Sequence, residues 1–257
     1  MRPIKKLLVI LLKQLDLGSA IAVRLTKLTG KSKVPVHPKH FLNQKPWFTQ
    51  YLNPKDIVLD LGSGNGQNAI KAAQVVKKVF ACEIDQALIN QAKTLAKLKR
   101  IENIQWEQVN LEERLSFINA NFDKILFLDV LEHLKKRNQI LNEVRRVLKP
   151  GGLLFLGVPN SQTSWKKFQR SVGICSFSDP DHKIEFSEKS IRSLLKKHDF
   201  EIIEFGYGKY DIPLRGIIDI IGGFSLSLYQ KISNWRAEKV LTNPHEASGF
   251  EIVVRRL

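Results

Sequence analysis

Residues 58–68 read Val58-Leu59-Asp60-Leu61-Gly62-Ser63-Gly64-Asn65-Gly66-Gln67-Asn68. A short apolar run passes into three alternate glycines and then into a helical pattern. Glycines at such a bend let the backbone approach a ligand closely, and the following helix offers free N–H groups to an anion. A second apolar run, residues 79–83, ends at Glu83, twenty-one residues after Gly62. An acid there can grip the two hydroxyls of a ribose. The dinucleotide fingerprint G-x-G-x-x-G needs glycine at position 67, where this chain has Gln67. G-x-G-x-G suits instead an adenosine ligand whose anionic end is a carboxylate.

Outward from this loop the pattern repeats. Runs rich in β-branched residues at 57–61, 79–83, 104–109, 125–129 and 153–158 alternate with helical patterns at 67–76, 86–99, 112–118 and 135–148. Strand and helix in such alternation predict βαβ units and a mostly parallel sheet. Lys149-Pro150-Gly151-Gly152 stops the last of these helices. A further helix is expected over 187–198, opening on Ser187 with a capping box left incomplete by Ser190, and strands at 201–205 and 250–254 close the pattern. Residues 207–246 are longer than a hairpin needs and rich in isoleucine and leucine. A stretch of that length carries its own helices or a function, and its apolar content suggests a cover over a pocket.

The chain has 257 residues and 41 Lys and Arg against 25 Asp and Glu, a net charge of +16. Residues 1–50 hold ten of those cations and a single acid, Asp16, which leaves only +7 for the other 207. At 43% hydrophobic and 26% charged the composition is that of a globular chain, not a disordered or fibrous one. Cys82 and Cys175 cannot build a disulfide framework or a four-cysteine zinc site, so a reducing, cytoplasmic setting is expected. Both cysteines are expected to be buried apolar side chains.

Near the N-terminus, Ile4, Leu7, Leu8, Leu11, Leu12 and Leu15 share one helical face, with Lys6 and Lys13 opposite. Lys13 and Asp16 interrupt an apolar run too short for a signal peptide, despite the cleavage-like Ala20-Ile21-Ala22. The first reading is a helix packed on the main domain. The alternative is a basic amphipathic helix on an anionic membrane at the inner face of the cell. Residues 30–47, with Pro35, His37, Pro38, His40 and Pro46, read as an extended linker. The expected organisation is an arm and linker over 1–44 and one domain over 45–257, with the cover inserted at 207–246.

Four segments together, in this order and spacing, are similar to the class I S-adenosylmethionine-dependent methyltransferases. They are residues 58–66, Cys82-Glu83-Ile84-Asp85, the stretch Phe122-Asp123-Lys124-Ile125-Leu126-Phe127-Leu128-Asp129-Val130-Leu131-Glu132-His133-Leu134, and Arg146-Val147-Leu148-Lys149-Pro150-Gly151-Gly152. The resemblance covers roughly 45–206 with a last strand at 249–255. It lies nearest the small-molecule branch, the ubiquinone-pathway O-methyltransferases and type 11 methyltransferases. It implies an α/β fold: a Rossmann-like, doubly wound, seven-stranded, mostly parallel sheet, the last strand antiparallel, with helices on both faces. It also implies S-adenosyl-L-methionine as cofactor, held by Asp60, Gly62, Ser63, Gly64, Gly66, Glu83, Ile84, Asn110, Leu111 and Leu128. Asp60 would lie near the amino group, Glu83 at the ribose, and Asn110, where the family commonly has Asp, at the adenine.

A methyltransferase of this kind positions its acceptor and excludes water, and a hydroxyl acceptor benefits from a general base. His133, at the exit of the fourth strand, is the catalytic candidate, against a purely structural role; His182 is a weaker one. Asp129, Glu132 and His133 also resemble the cluster that binds a divalent metal in some ubiquinone-pathway enzymes, but no metal is assigned. The expected reaction is methyl transfer to a small molecule, at an oxygen of an apolar or lipid-like acceptor. The +16 charge raises RNA as an alternative substrate, and a non-catalytic S-adenosylmethionine-binding partner subunit is a third reading. Nucleic acid is disfavoured because no N-P-P-Y or D-P-P-Y string is present.

Overall fold

The computed structural model describes residues 2–14, 18–42 and 45–257. Leu15 and Asp16 lie outside the described residues. The chain forms two compact units: residues 1–44, 160–180 and 207–249 make the first, and residues 45–159, 181–206 and 250–257 the second.

The second unit is built on a seven-stranded sheet. In chain order its strands are β1 (Ile57–Leu61), β2 (Lys78–Glu83), β3 (Ile104–Gln108), β4 (Phe122–Leu128), β5 (Leu148–Pro159), β6 (Phe200–Tyr207) and β7 (Gly249–Arg256), and across the sheet they run β3-β2-β1-β4-β5-β7-β6. Six strands are parallel and the last is antiparallel. The registers are regular: Val58 pairs with Val79 on one side and Lys124 on the other. β1 from Val58 onward and β5 from Leu154 onward are buried without alternation, the mark of parallel strands covered on both faces. Phe48, Val58, Val79, Leu126 and Phe155 lie in the core beside this sheet.

The helices of this unit are α3 (Gln67–Ala73), α4 (Gln86–Leu98), α5 (Arg137–Val147) and α7 (Glu188–Lys197); those of the first unit are α1 (Arg2–Gln14), α2 (Gly18–Leu28), α6 (Ser164–Ser171), α8 (Arg215–Phe224) and α9 (Leu226–Thr242). The opening of α7 is a complete capping box. The Ser187 hydroxyl accepts from the Ser190 amide at 3.1 Å, and the Ser190 hydroxyl accepts from the Ser187 amide at 2.9 Å. Serine thus does at the third position what the sequence rule reserves for Glu or Gln.

The structure corrects four further expectations. No helix forms over 112–118, because that segment's polar groups are taken from outside. Arg146 donates to the Leu115 and Phe117 carbonyls, and the Leu115 amide donates to Glu143. Cys82 is buried as expected, but Cys175 is exposed. The linker is not extended throughout: Pro38–Phe41 is a 3-10 turn, Val36 is buried, and Thr26 accepts from the Val36 amide and donates to its carbonyl. The N-terminal stripe is not packed away over its described residues, where Leu12 is half-buried and the others are exposed. Ile4, Leu7, Leu8 and Leu11 of α1 are 75%, 58%, 51% and 53% exposed.

The first unit is held by a polar knot among apolar helices. Asp219 of α8 is buried and accepts from Ser19 at 2.5 Å and from Tyr229 at 3.0 Å, with His37 at 3.2 Å. Burial pushes its carboxyl up, but these donors, His37 foremost, outweigh that and hold it below the usual range. Close to this knot α2 meets α8 so tightly that a Cβ on Gly18 would overlap the Gly216 carbonyl.

Candidate active site

The glycine loop leaves β1 at Gly62, whose φ of +73° is left-handed. A side chain there would be strained, and its Cβ would stand 2.5 Å from Val130. The Gly62 and Ser63 amides both donate to the Cys82 carbonyl, at 2.8 and 2.9 Å, so the loop is tied to the end of β2. That tie brings Glu83 beneath it. One Glu83 oxygen accepts from the Gly64 amide at 2.8 Å, and the other from Ile84 and Asp85 at 2.8 and 3.1 Å.

Beside Glu83 lies Asp60, 2% exposed. One of its oxygens and the Ser63 hydroxyl are buried with no hydrogen-bond partner among the described residues. Burial first, then the charge of Glu83, push the Asp60 carboxyl up to about 7, although the Ala69 amide donates to it. A buried acid with an oxygen in reserve has the character of a binding group waiting for a cation. Above Gly64 a Cβ would meet nothing within 4 Å. The unpartnered Asp60 oxygen, the open space over Gly64 and the buried Glu83 fit the amino, methionine and ribose ends of S-adenosylmethionine.

The other expected cofactor residues divide. Leu111 is buried, Leu128 is half-buried and ends β4, and Ile84 is 59% exposed. Asn110 closes a turn: its carbonyl oxygen accepts from the Glu112 amide at 3.0 Å and its amide donates to Glu113 at 2.8 Å.

The acceptor candidates gather beyond β4. Asp129 leaves the strand in a left-handed conformation, φ +58°, and a 3-10 turn over Leu131–His133 follows. The Lys183 amide donates to the Glu132 carbonyl at 2.8 Å, which lays residues 182–185 along this turn. His182 and His133 consequently meet edge to face, ring centroids 4.7 Å apart. His182 Nδ1 is 3.0 Å from Glu185, and its Nε2 is 3.8 Å from Glu132. His182, Glu185 and Glu132 are buried, while His133 is half-buried and thus the member open to an incoming group. Donor atoms of Glu132, His133 and His182 all lie within 4.8 Å of one another, a spacing that could hold a metal ion; Asp129 is not in that group. Asp123, by contrast, is structural, pairing with Lys149 at 2.6 Å and accepting from the Ile57 amide.

His182, expected on a loop near the pocket mouth, lies against His133, and Glu185, which the sequence reading does not name as a site residue, joins it. Its only signal was the spacing His182-Lys183-Ile184-Glu185. An open concavity of about 330 Å³ along α4, lined by Lys93, Lys97, Arg100 and Trp106 among others, contains none of the expected site residues.

A family model described as a methyltransferase domain matches residues 59–156. The tRNA 5-carboxymethoxyuridine methyltransferase of Escherichia coli K12 is 36% identical over 100 residues, 38% of this chain and 38% of that protein. The ubiquinone/menaquinone biosynthesis C-methyltransferase of Zymomonas mobilis is 32% identical over 123 residues, 47% of this chain and 50% of that protein. The chain therefore spans half or less of the length of these curated relatives. A crystal structure of an S-adenosylmethionine-dependent methyltransferase from Methanosarcina mazei superposes with a TM-score of 0.58 at 23% identity, covering 84% of this chain and 99% of that one, which establishes the fold. Residues 59–156, with the glycine loop and two of the acids inside them, match a methyltransferase domain, and the relatives they resemble imply S-adenosylmethionine as the cofactor.

Proposed function

We propose that the chain transfers the methyl group of S-adenosylmethionine to a small molecule, at an oxygen of an apolar or lipid-like acceptor. The observation that carries this reading is the Glu185–His182–His133 cluster at the exit of β4. S-adenosylmethionine, when bound, supplies a methyl group on a sulfonium, so the chain's own residues need only orient the acceptor, exclude water and take its proton. His133, the accessible imidazole, takes the hydroxyl proton. His182, held by Glu185, braces the His133 ring and is a positioning residue. Asp60 and Glu83 hold the two ends of the cofactor. The quinone-pathway relative supports an apolar acceptor.

The relative named for tRNA favours a second reading, methylation of an RNA base. Incubation with labelled S-adenosylmethionine and either a panel of phenols, catechols and quinols or bulk tRNA separates the two. Label in the solvent-extractable phenolic product is the expected result, and label retained on tRNA alone overturns the small-molecule reading. His133→Ala should lower kcat by about 10²–10⁴-fold with cofactor affinity unchanged. His182→Ala should shift the pH profile of kcat as well as its height; rates equal to the parent's in both variants would remove the base from the mechanism.

A further inference from the structure

We propose that α1 is an interfacial helix that lies on an anionic lipid bilayer, with its leucine stripe in the acyl boundary and its exposed lysines, Lys5 and Lys6, reaching the headgroups. The helix is turned inside out relative to an ordinary surface helix. Ile4, Leu7, Leu8 and Leu11, spaced i, i+3, i+4, i+7, are all more than half exposed, where such a stripe normally faces protein. On the other side of the helix Val9 is fully buried, and Lys13 donates to the Cys175 and Phe177 carbonyls of the same unit. The helix is therefore fastened by the face opposite its stripe, through Val9 and Lys13.

The chemistry of the occupant follows from what surrounds the stripe. Residues 2–14 contain no acid, and Lys5 and Lys6 are exposed, Lys5 next to the stripe and Lys6 on the polar side. The first unit holds seventeen Lys and Arg against six Asp and Glu, a net +11, leaving +5 for the second. Among the described residues it also holds thirteen of the nineteen exposed large hydrophobics, Leu28, Phe224 and Leu241 included. A second copy of the chain would bring the same positive charge against itself. A nucleic acid would satisfy the charge and leave the leucines in water. An anionic membrane surface satisfies both, since long basic side chains reach headgroups while the apolar face enters the acyl boundary. Thirteen residues of helix span about 20 Å, short of a hydrocarbon core of about 30 Å. No helix among the described residues is long and apolar enough to cross a membrane. The helix lies on the bilayer and does not traverse it.

The proposal explains how an apolar acceptor would be reached, and that purpose alone rests on the functional reading. Vesicle binding is measured without cofactor or acceptor, so either can fail while the other stands. The full chain is sedimented with phosphatidylglycerol-rich vesicles and with pure phosphatidylcholine vesicles at low and high salt. Binding should favour the anionic vesicles, weaken with salt, and fall at least about tenfold in both Leu7→Glu/Leu11→Glu and Lys5→Gln/Lys6→Gln. The milder Ile4→Ser/Leu8→Ser serves if the first pair misfolds by circular dichroism. The proposal is overturned by three results: equal binding to both lipids, undiminished binding in the stripe variants, or a dimer that dissolves on Leu7→Glu/Leu11→Glu with no vesicle binding by the parent chain.

Discussion

Each compact unit buries an aspartate, and the two are opposites. Asp219, in the first, is met by Ser19, Tyr229 and His37, and its carboxyl is held below the usual range. Asp60, in the second, keeps one oxygen without a partner among the described residues, and its carboxyl is pushed up to about 7. A buried charge is tolerated when donors surround it and is costly when they do not. The satisfied acid therefore reads as structural mortar, and the unsatisfied one as a group whose partner arrives from solution.

The sharpest way to break this contrast is to delete the mortar. Asp219→Ala strands the Tyr229 hydroxyl and the His37 ring and should cost about 3 kcal/mol. Hydrogen exchange would show α2, α8 and α9 exposed while the β1–β4 amides stay protected. Uniform loss of protection across both units would show that Asp219 is not local to its own. The depressed carboxyl adds a pH signature. Its stabilisation is fully present above about pH 4, the ordinary carboxylate value, and is lost as the pH falls through the lower folded value.

Asp60→Asn should act in the reverse sense. Because the folded carboxyl is raised, the parent loses stability as the pH climbs from about 4 to about 7. The asparagine variant should lose that slope and gain about 2 kcal/mol at pH 8. Cofactor binding should pay the opposite way: the parent binds S-adenosylmethionine more tightly as the pH rises through about 7, then levels off. In the variant the affinity is down about 10–100-fold and flat with pH. Calorimetric titration at pH 6 and pH 8 decides it, and a parent with no pH dependence would separate Asp60 from the cofactor's amino group.

The two units also differ in how far the sequence discloses them. The sheet and the glycine loop were legible because their signals are local: a two-residue period, a glycine bend, an acid at the end of the next strand. The expected cofactor residues, Asp60, Gly62, Gly64 and Glu83 among them, are read from those signals. The His133–His182–Glu185 contact joins residues about fifty positions apart through a backbone bond to the Glu132 carbonyl, and nothing local marks that. The 112–118 segment has a helical pattern, but Arg146 and Glu143, set by α5, claim its backbone. The first unit is three separated stretches, so the destination of the linker rested on His37 finding Asp219, 182 residues on. The outward face of α1 was unreadable for a different reason. An amphipathic pattern reports that a face is apolar and says nothing of what lies against it.

The smallest test of the contrast lies at two serine caps, one per unit. In α7 the Ser187 and Ser190 hydroxyls satisfy each other's amides, whereas in α9 Ser225 accepts from the Leu228 amide at 3.3 Å and Leu228 has no polar side chain to return a bond. Removing the reciprocal cap orphans an amide and loosens its partner; removing the single one costs one long bond. Ser187→Ala should therefore destabilise by about 1 kcal/mol and Ser225→Ala by about 0.5. Ser190→Ala should fall between them, since it keeps the Ser187 bond and loses only the return. Urea midpoints at constant m-value resolve differences of this size. If Ser190→Ala matches the parent, the second serine is only a neighbour and the box at α7 reduces to an ordinary cap.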